Sequence, residues 1–232
     1  MTMVFRCLRS LAGIISLAHS STQKKASMRA KQCWMHFCLG GHNSAWFNED
    51  VMNTQRTPLV TIEMATELIA NDISELCDAT EEAIEAGGGF GWLAPPPRSV
   101  LEDYWRGILL VPDYHLFLGK LDHVIAGSCQ IVRPPRNNEA QATTCQLRTF
   151  FLAPWARGHG LAGALVAETE EFARSEGYQI LNLDVRATQD RAIKAFEARG
   201  YQHFGTNPYY ARVGDDFVPG LYFTKLLNGP KL

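Results

Sequence analysis

An apolar run ending in Phe150-Phe151-Leu152 passes through Ala153-Pro154 into Arg157-Gly158-His159-Gly160-Leu161-Ala162, and a helical pattern starts at once, with Leu161, Leu165, Phe172 and Ala173 inward. A strand, a glycine turn and a helix in that order expose the unpaired N–H groups of a helix start, and glycine lets the backbone approach a ligand closely. Arg157 adds a full positive charge. The pattern predicts an anion site with a phosphate or pyrophosphate as ligand. The competing reading is a tight strand-to-helix turn that binds nothing. The Walker sequence G-x4-G-K-[ST] is absent, which argues against P-loop nucleotide chemistry. Gly158, Gly160 and Gly163, with Asp184 closing a later strand, also fit the dinucleotide fingerprint. Against that reading, Pro154 and its neighbours separate the strand from the first glycine, and too few residues follow Asp184 for a full dinucleotide fold.

The chain has 232 residues, enough for one domain and an appendage. Its 46% apolar and 20% charged residues predict a packed core rather than a disordered chain. No run approaches the ~20 apolar residues of a spanning helix. A formal net charge of −2 leaves no global basic field to hold nucleic acid or an anionic membrane. Residues 1–48 differ: they hold Arg6, Arg9, Lys24, Lys25, Arg29 and Lys31 and no acid, with an apolar patch over 11–18. Three readings stand for this stretch: a mitochondrial presequence, a short secretory signal, or translation from Met28 or Met52. We therefore divide the chain into an extension, 1–56, and a domain, 57–232. Cys33, His36, Cys38 and His42 lack the second half of a zinc knuckle, so no metal is expected. Cys77, Cys129 and Cys145 lie in apolar segments and read as buried thiols. Six cysteines do not make a disulfide scaffold, which favours a reducing compartment, the cytoplasm, or the mitochondrion if the presequence is genuine.

From residue 57 onward the pattern is mixed α and β. Strands are predicted over 59–63, 115–119, 124–132, 141–152, 180–185, 201–204 and 221–227. Helices are predicted from Leu68 to the glycines at 87–89, from a capping box at Ser99 and Glu102, from Leu161 to Gly177, and over 189–199. The aromatic group Phe90, Trp92, Tyr104 and Trp105 is either a pocket wall or ordinary core.

The span from Gln146 to Tyr201 resembles the GNAT acetyltransferases. Their motif [QR]-x-x-G-x-[GA] matches the run from Arg157 to Ala162 after Leu152-Ala153-Pro154. Their second signature resembles the run that starts Gln189-Asp190-Arg191-Ala192 and ends Gly200-Tyr201. The resemblance implies an α/β (α+β) fold, a single acyl-CoA N-acyltransferase-like domain with a mixed, mostly antiparallel sheet of about seven strands and about four helices. It implies transfer of acetyl from acetyl-CoA, as co-substrate, to a small-molecule or amino-acid-like amine, and it allows a homodimer. By the same resemblance Phe150 and Leu152 meet the pantetheine arm by main chain. Arg157, Gly158, His159, Gly160, Leu161 and Ala162 hold the pyrophosphate, and Gln189 stands at the family's asparagine position.

Two positions depart from the family. Its tyrosine proton donor falls at Phe196, which has no hydroxyl, so the candidates for that role are Tyr201, Tyr209 and Tyr210, each of which also reads as a ring packed in the fold; Tyr210 is favoured because Asn207-Pro208 is expected to turn the chain before it. The strand over 140–152 carries no carboxylate, so the base candidates are Glu139 at its start and Asp184 on the adjacent strand, unless Asp184 pairs with Arg186. Transfer needs a neutral amine and donors for the developing oxyanion. The alternatives to an enzyme of this type are a non-catalytic acyl-CoA-binding module and, further off, a dinucleotide-dependent oxidoreductase.

Overall fold

The computed structural model describes residues 57–88 and 90–228. The basic extension, its cysteine and histidine group, Gly89 and the last four residues lie outside them. The order of elements is β1 (Val60–Ala65), α1 (Ala70–Glu85), α2 (Arg98–Ile108), β2 (Tyr114–Leu121), β3 (Val124–Val132), β4 (Thr144–Leu152), α3 (Leu161–Ser175), β5 (Ile180–Arg186), α4 (Asp190–Ala198), β6 (Gln202–Val213) and β7 (Asp216–Leu226). This is the succession the sequence predicts.

The seven strands form one sheet in the order β1-β2-β3-β4-β5-β7-β6. Every neighbouring pair is antiparallel except β4 and β5. β2 and β3 meet at Asp122 and His123, both with positive φ, the hand that matches the twist of a two-residue hairpin. Helices lie on both faces. α1 turns Ile73, Leu76, Cys77, Thr80, Ala83 and Ile84 inward at helical spacing, and α2 adds Leu101, Trp105 and Ile108. Their core reaches Leu116, Leu118, Ile125 and Phe151 and includes, among the described residues, none from β5, β6 or β7. The opposite face carries Leu161, Leu165 and Val166 of α3 and Phe196 of α4 against Phe117, Leu147, Leu183 and Phe223. So, among the described residues, no helix packs a core against the other face of β5, β7 and β6.

Three local expectations are corrected. α2 starts at Arg98 with Pro97 before it, and no Ser99 capping bond forms. Glu102 instead pairs with Arg106 at 3.1 Å, while Arg98 reaches Asp78 at 2.8 Å and ties α2 to α1. β4 begins at Thr144, because residues 139–141 form a 3-10 turn. Asn207-Pro208 does not turn the chain: it lies inside β6, where the register with β7 slips between Asn207 and Ala211. Proline is tolerated there because β6 is the sheet edge and the bulge needs no ladder N–H.

Candidate active site

The site begins where the sheet comes apart. β4 and β5 pair only from Thr144–Ile180 to Leu147–Leu183, although β4 runs on to Leu152. A bulge in β4 accompanies the parting. Thr149 has φ 50, and the β3 register slips beside it. Beyond the bulge Phe151 pairs with Ser128, and Ala153 donates to the Ala126 carbonyl at 2.8 Å. Alternation along the strand therefore turns the main-chain groups of Phe150 and Leu152 away from β3, into the gap.

One cavity, of about 660 Å³, fills that gap. It is lined by Phe150, Leu152, Arg157, Gly158, Gly160, Leu161 and Ala162, and across it by Gln189, Arg191 and the end of α1. Gly158 and Gly160 have φ of +86 and +79, a conformation that side chains resist, and Gly160 caps α3 without any side-chain bond. Among the described residues, no hydrogen bond uses the amides of residues 158–163 as donors; the first α3 bond is from Ala164 to the Gly160 carbonyl at 3.1 Å. These amides form a row of free N–H groups at a helix N-terminus. Burial, and then the neighbouring charge of Arg191, lowers the affinity of the Arg157 guanidinium for its proton. Two like charges held beside a row of free donors is an arrangement that an anion relieves.

A second cavity, of about 470 Å³, is lined by residues of β4, β5 and β6 and shares Phe150, Gln189 and Ala192 with the first. Asp184 and Tyr210 line it, and the Tyr210 hydroxyl donates to the Asp184 carboxylate. Burial, and then that hydrogen bond, pushes the Tyr210 phenol above its ordinary value, so it stays protonated. The ring is placed by the β6 bulge and by Gly220 on β7, where a Cβ would sit 2.1 Å from Tyr210 Cγ. Arg186 does not pair with Asp184; its guanidinium donates to the carbonyls of Gly88 and Phe90. Gln189 donates to the Gly87 carbonyl, so both side chains hold the glycine loop against the cavities.

The other sequence candidates stand elsewhere. Glu139 is exposed in the 3-10 turn before β4, about 20 Å of strand away from Phe150, and lines neither cavity. Tyr201 is 4% exposed, packed on Phe196 with Lys225 over its ring, and Tyr209 is exposed against Phe217. His159 is exposed and lines neither cavity. The aromatic group is mostly core: Trp105 is fully buried, and only Phe90 of the four reaches the second cavity. Sequence reasoning missed Arg191, which stands inside the second signature, and Arg148 and Arg212, which the search for carboxylates passed over.

Comparisons with known proteins bear on the chain's relatives and its fold. The sequence pattern of the acetyltransferase (GNAT) family matches residues 76–201. An uncharacterized N-acetyltransferase in the hisH-hisA intergenic region of Azospirillum brasilense is 57% identical over 132 residues, covering 57% of this chain and 79% of that protein. Among solved structures, an N-acetyltransferase of Staphylococcus aureus Mu50 superposes with a TM-score of 0.62 at 17% identity, over 73% of this chain and 99% of that one. A Salmonella typhimurium protein solved with its cofactor acetyl-CoA superposes at 0.60 and 13% identity, over 74% and 96%. At such identities the two structures speak for the fold alone.

Proposed function

We propose, from the premise that the chain belongs to the acetyltransferase (GNAT) family, that its two cavities receive the two substrates and that Asp184 and Tyr210 serve the transfer between them. The chain is an acyltransferase that moves acetyl from acetyl-CoA to an amine acceptor. The observation that carries the site assignment is the meeting of the cavities at Phe150, Gln189 and Ala192, at the mouth of the parted strands. Acetyl-CoA supplies an activated thioester when bound. The free amides of residues 158–163 with Arg157 and Arg191 suit its pyrophosphate, and His159 flanks them from the solvent side. Main-chain groups of Phe150 and Leu152 lie along the gap where the pantetheine arm would run, and they supply N–H donors to charge building on the thioester oxygen.

On the acceptor side Asp184 takes the proton that the amine must lose. Tyr210 orients that carboxylate by donating its one hydroxyl proton to it; as the C–N bond forms and the C–S bond breaks, the proton lost by the amine balances the one that the departing thiolate takes up. Phe196, buried under Phe150 at 5.1 Å between ring centres, fills the family's tyrosine position as packing. The acceptor we assign is a small, amino-acid-like amine, since the cavity is of small-molecule size. Residues 57–232 form the catalytic domain in this reading and 1–56 an appendage. Among the described residues no helix is long and apolar enough to cross a membrane, and the free, buried Cys77, Cys129 and Cys145 suit the cytoplasm.

The test is thiol release from acetyl-CoA across an amine panel, comparing the parent with Asp184→Asn. Loss of the base is expected to lower kcat about 100-fold while acetyl-CoA affinity holds. An unchanged kcat and pH profile would remove Asp184 from the mechanism.

A further inference from the structure

The acceptor cavity holds more positive charge than acetyl transfer uses. Among the described residues, Arg148, Arg186 and Arg212 line it against one carboxylate, that of Asp184, which already accepts from Tyr210. Arg186 is engaged by two loop carbonyls. Arg148, exposed on β4, donates to the neutral amide oxygen of Gln146 at 3.0 and 2.6 Å and makes no ion pair among the described residues. Arg212 on β6 meets the Gly214 carbonyl at 3.2 Å and Asp215 at 3.4 Å. That last pair is weak, because water screens both side chains, at 67% and 103% exposure. In the sheet order β4 lies next to β5 on one side and β6 lies beyond β7 on the other, so the cavity takes one arginine from each side of the strand that carries Asp184.

A guanidinium offers a planar fork that matches a carboxylate or phosphonate by two parallel hydrogen bonds. A cavity so lined repels a bare polyamine and attracts an amine that also bears an acid. We propose that the acceptor carries an anionic group beside its amine, and that Arg148 and Arg212 bind that group while Asp184 receives the amine. The proposal rests on the assignment of this cavity to the acceptor and adds the chemical class it selects.

The experiment measures acetyl-CoA turnover by the full chain with matched acceptors. L-leucine, L-phenylalanine and L-methionine are each compared with the amine that lacks only the carboxylate, and L-glutamate with L-glutamine. The expected result is a kcat/KM at least about tenfold higher for the more acidic member of at least one pair. In Arg148→Gln and Arg212→Gln, both surface changes that leave the core intact, this preference should fall toward unity through KM. Turnover in which no pair favours the acid would overturn the anion proposal and leave the acetyltransferase site standing. A preference that survives in both variants would overturn the role of the arginines. Tight acetyl-CoA binding with no thiol release from any member would overturn the small-amine assignment itself, and the anion proposal with it.

Discussion

At the scale of single residues, the proposed cofactor turn is marked by what its side chains omit. Gly158 and Gly160 sit at positive φ with open space around them, and the amides that follow remain free to donate. A carboxylate introduced there meets both the strain of a left-handed backbone, about 1 kcal/mol or more, and the approaching diphosphate. Arg157→Glu combined with Gly160→Asp should raise the acetyl-CoA dissociation constant by at least about a hundredfold, while the melting temperature falls by only a few degrees. Calorimetric titration beside a melting curve checks both. The glycine turn with its row of free amides was legible in sequence because its residues are consecutive and its groups are main-chain. The residues of the second cavity were harder to read: the sequence offers Asp184 and Tyr210 among several candidates, whereas Arg148, Arg186 and Arg212 come together only through strand order.

At the scale of elements, edge strand β6 decides where Tyr210 stands. Its bulge between Asn207 and Ala211 brings Tyr210 down onto Gly220 and over to Asp184. Gly220→Ala should push the ring off β7 and break the bond to Asp184. The expected result is a kcat lowered about tenfold or more with acetyl-CoA affinity unchanged; equal turnover would mean that Tyr210 is not set by this contact. Periodicity and glycine stops revealed the order of every element here. They failed where two local rules conflict. Asn-Pro favours a turn, but an edge strand absorbs it. Ser99 and Glu102 have capping spacing, but Pro97 already opens the helix and the arginines on either side claim Glu102.

At the scale of the whole molecule, α3, β7 and the end of α4 are joined by one buried carboxylate. Glu170 is 2% exposed and meets Lys225 at 2.8 Å, Arg199 at 2.9 Å and Arg174 at 3.5 Å. Burial alone would raise its pKa, but the bonds from Arg199 and Lys225 prevail and hold it below the usual carboxylate value. A lowered folded value contributes stability that is complete above the unfolded value of about 4.3 and is lost as pH falls through the folded one. Glu170→Gln should therefore cost about 2–4 kcal/mol at neutral pH and flatten the acid limb of stability, as urea titrations across pH would record. That hub matters because the sheet above it is nearly severed: four residue pairs alone hold β4 to β5. Where a continuous sheet would lace its halves with hydrogen bonds, this one leaves a seam, and under the proposed assignment the amides of the pantetheine arm would stitch it, so that the guest that arrives to react would also become, while it stays, part of the framework that grips it.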